Sequence, residues 1–103
     1  MASLKPGSRW RSVVCATEVV VVRSPGDDLD LRCGGSPMVP VDHGAVPVGA
    51  PAPGLDGGTL LGKRYIDDAG SLELLCTKAG DGSLSLRDKA LDMKGSKPLP
   101  SSD

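Results

Sequence analysis

The chain has 103 residues, room for one domain or two very small ones, and its 12 basic and 13 acidic residues leave a formal charge of −1. With those charges spread along the sequence, and with one Trp, one Tyr and no Phe, there is neither a basic stripe nor a stacking platform for nucleic acid. The shortage of aromatics leaves Val, Leu and Ala to build the core, while 14 Gly and 9 Pro favour turns over long helices.

Residues 1–11 form a polar lead-in. Lys5, Arg9 and Arg11 are followed by no apolar stretch, so this is not read as a signal peptide. The longest apolar run, Val19, Val20, Val21 and Val22, is too short to span a bilayer, so no membrane partner is expected. A cytoplasmic location follows as the expectation, with Cys15, Cys33 and Cys76 as reduced thiols. Their odd number also argues against a disulfide framework.

Residues 12–35 read as a first β unit. The β-branched stretch SVVCATEVVVVR runs into the turn SPGDD, and LDLRC then alternates apolar with polar, the chemistry of a hairpin. Successive side chains of a strand point to opposite faces, so Val19, Val20, Val21 and Val22 make both faces apolar. Such a strand is central, or covered by another segment or a second subunit. A homodimer or a protein partner docking through these four valines is therefore expected.

Residues 36–59 read as a Pro/Gly-rich connector. Pro37, Pro40, Pro47, Pro51 and Pro53 forbid a central strand, and Met38, Val39, Val41, Val46 and Val48 could dock it on the core. Residues 60–95 read as a meander, with strands at 62–66, 72–78, 83–86 and 90–94. Ala79-Gly80-Asp81-Gly82 is its strongest hairpin turn. The spacing of Leu86, Ala90 and Met93 offers a helix over 87–93 as the local alternative. Residues 96–103 read as a frayed tail. The expectation is an all-β protein, a small β-sandwich or open barrel built of hairpins with a long Pro/Gly-rich connection.

The stretch SVVCATEVVVV, a hairpin, and then CGGSPM resembles the metal knuckle of desulforedoxin and of the N-terminal domain of desulfoferrodoxin. That pattern has the form C-x-x-C-G-x-x-V-x-V followed by C-C-G-x-P-M. The resemblance covers residues 12–38, with Cys33, Gly35, Pro37 and Met38 as its specific part. It implies a four-thiolate iron site in the family. Here it places Cys15 on the second ligand and Cys33 on the third, with Ser12 at the first, Gly34 at the fourth, and Ala16 in place of a glycine. A closed structural site needs four donors, and serine and glycine are poor substitutes for thiolates. No bound metal is expected, and Cys15 and Cys33 are read as small buried hydrophobic residues.

Three alternatives stand beside that reading. Cys15, Cys33, His43 and Cys76 could form a mixed zinc or iron site, although no C-x-x-C spacing supports it. Cys15 and Cys33 from two subunits could share a metal. The two could also form a disulfide, but a regular ladder around SPGD would set Cys33 opposite Glu18, three residues from Cys15. A thiol enzyme would use Cys76 as nucleophile and His43 as base, yet alternation puts Cys76 with Leu72 and Leu74 on a core face. Three other features read as plain structure. Asp27, Asp28 and Asp30 lack the spacing of a calcium loop, Gly80 and Gly82 precede no helix, and Gly62-Lys63-Arg64 lacks the glycine and Ser/Thr of a P-loop. The leading expectation is a non-catalytic accessory or interaction protein on a degenerate knuckle scaffold, with no cofactor.

Overall fold

A computed structural model of the chain describes residues 2–25, 28–43, 49–67, 70–87 and 89–93. The fold is all-β. Its strands are β1 (Ala2–Ser3), β2 (Arg9–Arg11), β3 (Glu18–Arg23), β4 (Asp28–Leu29), β5 (Leu31–Cys33), β6 (Ser36–Pro37) and β7 (Val39–Pro40), followed by a 3-10 turn at Val41–His43. After the connector come β8 (Arg64–Ile66), β9 (Glu73–Lys78), β10 (Leu84–Leu86), β11 (Lys89–Ala90) and β12 (Asp92–Met93). The helix considered over 87–93 is replaced by β11 and β12. Asp88, the expected tail 96–103, and Val46 and Val48 lie outside the described residues.

Two antiparallel sheets carry the molecule, with a small β1–β4 ribbon beside them. One runs β12-β8-β9-β3-β2-β7 and the other β11-β10-β5-β6, and neither closes into a barrel. Pro37 and Pro40 lie in β6 and β7, the outermost strands on one side of each sheet, where a missing N–H breaks no central ladder. The chain passes from one sheet to the other at Met38 and again at Leu91, both buried.

Two expected hairpins do not form. β3 pairs with β2 on one side and β9 on the other, so it has no free edge for β5, which instead pairs with β10 and β6. The segment 79–82 likewise joins β9 of one sheet to β10 of the other rather than folding them together. The segments 12–35 and 60–95 thus share both sheets through β3–β9 and β5–β10. Two local hairpins do form. β8 and β9 pair as consecutive antiparallel strands, and β5 and β6 pair across Gly34-Gly35. Both glycines there have positive φ (65° and 88°), the backbone that a two-residue type I′ turn demands.

The core is one cluster between the sheets, contributed by Val19 and Val21 of β3, Leu74 and Cys76 of β9, Leu31 and Cys33 of β5, and Leu84 of β10. Burying a Val or Leu side chain is worth about 1.5–3 kcal/mol, so the alternating inward residues carry most of the stabilisation. Glu73 is the charged member of this interior and is paired with Arg64 on the neighbouring strand at 3.1 Å. The valine run divides: Val19 and Val21 face inward, Val20 is half-buried, and Val22 is exposed. Only the second pair is left to face outward, so the four valines do not make one docking surface.

Candidate functional site: a buried dithiol at the sheet junction

Cys15 lies in the bend between β2 and β3, and Cys33 ends β5 in the other sheet. Their sulfurs are 3.7 Å apart. The separation that disfavoured this pair assumed a β3–β5 ladder; without that ladder the sheet junction brings them together.

Residues 12–17 form a tight loop closed by the Ser12 N–H donating to the Thr17 carbonyl at 2.9 Å. Inside it, Ser12 Oγ accepts from the N–H groups of Val14 and Cys15, both at 3.1 Å. Its lone pairs are then occupied, which leaves the hydroxyl proton for Cys15 Sγ, 3.2 Å away, when that sulfur is a thiolate. Thr17 Oγ1 lies 3.3 Å from the same sulfur, and the Gly82 N–H donates to it at 3.4 Å. Ser12 and Thr17 are as buried as the sulfurs. Two thiols and two hydroxyls therefore converge on one point.

Two glycines make that convergence possible. A Cβ at Gly80 would fall 2.3 Å from Thr17 Oγ1 and 2.4 Å from the Thr17 nitrogen. A Cβ at Gly82 would sit 2.8 Å from Cys33 Sγ and 3.2 Å from Cys15 Sγ. The Gly80-Asp81-Gly82 triplet, expected as a hairpin turn, is thus a bare strip of backbone laid across the dithiol. The connector is tied to the segments that carry the site. Ala52 N–H donates to the Gly34 carbonyl and Ser83 N–H to the Leu55 carbonyl, while Thr59 Oγ1 donates to the Gly82 carbonyl at 2.6 Å.

The two thiols differ electrostatically. Burial pushes the Cys15 thiol up, but the hydrogen bonds from Ser12, Thr17 and Gly82 outweigh it and bring the pKa down to about 7 from an ordinary 9.0. Cys33 is pushed up to about 12, first by burial and then by the negative charge of Cys15 beside it. Cys33 is thus the thiol held protonated more firmly, with its sulfur 3.7 Å from that of Cys15. Of the two, Cys15 has the little exposure there is (9 %), and Cys33 has none.

Cys76 is separate. It lies in β9 opposite Val19, its thiol donates to the Lys78 carbonyl at 3.2 Å, and burial raises its pKa. That is the setting of an unactivated core thiol, as the alternation with Leu72 and Leu74 requires. His43 closes the 3-10 turn Val41–His43. Among the described residues no three of His, Cys, Asp and Glu are grouped to hold a metal ion. A site shared between subunits would need both knuckle sulfurs at the surface, and Cys33 is enclosed.

The spacing of the dithiol is informative all the same. A tetrahedral site with metal–sulfur bonds of about 2.3 Å has sulfur–sulfur edges of about 3.75 Å, close to the separation of Cys15 and Cys33. Ser12, expected at the first ligand position, has its Oγ 3.2 Å from Cys15 Sγ, whereas a Cβ at Gly34, expected at the fourth, would have Val14 and Pro51 as its nearest neighbours. Thr17 stands in the cluster instead. Its role had no signal in the sequence beyond a hydroxyl two residues after a cysteine, and the roles of Gly80 and Gly82 were hidden behind their turn chemistry.

A second concave feature, an open groove of about 670 Å³, is lined by Asp30, Arg32, Gly35, Leu55, Ser85 and Arg87. Arg32 is already committed to Asp30 at 2.9 Å and to the Gly35 carbonyl at 3.0 Å. No helix is long and apolar enough to cross a membrane among the described residues. No family model, curated protein or solved structure matches the chain.

Proposed function

We propose that this chain is a non-catalytic accessory or interaction protein, cytoplasmic, built on a degenerate desulforedoxin-like knuckle in which Ser12 and Gly34 stand at two of the four thiolate positions. The reading rests on the shell of Cys15 Sγ, where Ser12, Thr17, Gly82 and Cys33 take up the contacts that a metal would otherwise make. Hydroxyl groups stay protonated near neutral pH, so they serve as hydrogen-bonding groups rather than as ligands, Ser12 Oγ closing the loop by accepting from the N–H groups of Val14 and Cys15. The structural role of a knuckle, pinning a loop of one sheet to a strand of the other, is kept by hydrogen bonds and sulfur contact. Val20 and Val22 give this scaffold an outward apolar face for a second copy or another protein.

Metal analysis of anaerobically purified protein, together with thermal unfolding with and without a chelator, tests the first part. The expected result is less than a tenth of an equivalent of zinc or iron, in keeping with a site short of donors, and a melting curve indifferent to the chelator. One equivalent of metal, lost with stability on chelation, would transfer the proposal to the zinc or iron reading. Sedimentation over a wide concentration range tests the second part, and a strict monomer unaffected by Val22→Asp would remove the homodimer.

A further inference from the structure

We propose that Cys15 and Cys33 form a reversible dithiol–disulfide couple that exchanges with small-molecule disulfides, Cys15 attacking first and Cys33 completing the exchange. The inference goes beyond the accessory role and stands whether or not the chain binds a partner.

Geometry carries it. The sulfurs are in contact at 3.7 Å, and a disulfide needs them at about 2.05 Å, a closure that modest side-chain rotations can share. Cys15 sits in the loop between β2 and β3, so its adjustment breaks no ladder hydrogen bond. Gly82 has no side chain to obstruct the closing pair, although it lies over both sulfurs. The partners are also unequal in the way sequential exchange requires. Cys15 has three donors for a thiolate and the pair's share of exposure, whereas Cys33 is enclosed and can reach only its neighbour. The lowered pKa of Cys15 agrees with that order.

The chemistry balances in two steps. The Cys15 thiolate attacks one sulfur of a disulfide R–S–S–R, forming a Cys15–S–S–R bond and expelling R–S⁻. The Cys33 thiol then loses its proton to the departing thiolate as its sulfur attacks Cys15 Sγ, forming Cys15–S–S–Cys33 and releasing R–SH. Two protein thiols are oxidised, and one external disulfide is reduced to two thiols. The reverse sequence, with excess R–SH, reopens the bond.

Reduced full-length protein is incubated with glutathione disulfide under native conditions, quenched with acid, and mapped by mass spectrometry. Wild type is expected to lose two hydrogens and to yield a peptide linking Cys15 to Cys33, with Cys76 still a free thiol, and to revert with reduced glutathione. Cys33→Ser should halt at a persistent glutathione adduct on Cys15, while Cys15→Ser should leave Cys33 unmodified. Ser12→Ala should slow adduct formation several-fold, since it removes a thiolate donor. The proposal is overturned if wild type gives adducts or intermolecular dimers without the Cys15–Cys33 link. It is overturned equally if the link forms only in denaturant, an outcome that needs no variant to fold.

Discussion

The three cysteines occupy two environments that differ in everything except burial. Cys76 is embedded in a regular strand, its neighbours are apolar, and its thiol finds one backbone carbonyl. Cys15 and Cys33 meet where a loop of one sheet touches a strand of the other, among two hydroxyls and a backbone N–H. Enclosure raises the pKa of Cys76 and Cys33, yet it fails to raise that of Cys15 because donors surround the sulfur. Burial alone therefore does not make a thiol inert; burial without donors does.

The strongest way to sharpen the comparison is to complete the junction as a metal site. In a Ser12→Cys, Thr17→Cys double variant, four sulfurs should surround one point, and zinc should bind with a free energy on the order of 10 kcal/mol. Cobalt substitution should then show thiolate charge-transfer absorption, and wild type should show none. A similar pair of cysteines introduced near Cys76 should give no such signal.

Next in size is the strip of backbone above the dithiol. Gly80→Ala forces a methyl group into the Thr17 backbone, and should cost about 3 kcal/mol or more in urea unfolding. Gly82→Ala meets a sulfur first and should cost less. Oxidation works in the opposite direction. A Cys15–Cys33 disulfide closes a loop with a sequence separation of 18 and should add up to about 3 kcal/mol, read as a rise in melting temperature that dithiothreitol reverses.

Ser12→Ala should cost about 1–2 kcal/mol, because it strands the N–H groups of Val14 and Cys15. It should also move the alkylation midpoint of Cys15 upward from about 7. The same thiols predict a pH profile. From about 7 to 9 the folded chain has already released the Cys15 proton while the unfolded chain keeps it, so stability rises with pH. From 9 towards 12 the unfolded chain ionises at Cys33 while the folded chain does not, so stability falls. Reduced protein should therefore be most stable near pH 9, and Cys15→Ser should abolish the rising limb. The smallest effect is expected at the other environment. Cys76→Ala should cost about 1 kcal/mol and leave both the pH profile below 9 and the exchange reaction unchanged.

Much of the local structure was legible. The β-branched run at residues 19–22 and the alternation of Leu72, Leu74 and Cys76 each signal a strand that the fold contains. The confinement of Pro37 and Pro40 to outer strands was legible for the same reason: a residue without an N–H has few places in a sheet. The pairing of strands was not. SPGDD and Ala79-Gly80-Asp81-Gly82 have good turn chemistry, and a turn says how the chain can reverse without saying which strand it will meet. Val19, Val20, Val21 and Val22 looked like one surface because periodicity cannot tell a half-covered outer face from a docking face.

The sequence by itself determined the class of the protein. Few aromatics, many glycines and prolines, and short alternating apolar runs allow little but a small all-β fold, because each is a local preference of backbone or side chain. Only the tertiary structure decided the chemistry. Cys15, Thr17, Cys33 and Gly82 lie on segments whose meeting depends on β3 being occupied on both edges and on two glycines permitting close approach, and neither condition is written in the neighbourhood of any one of those residues.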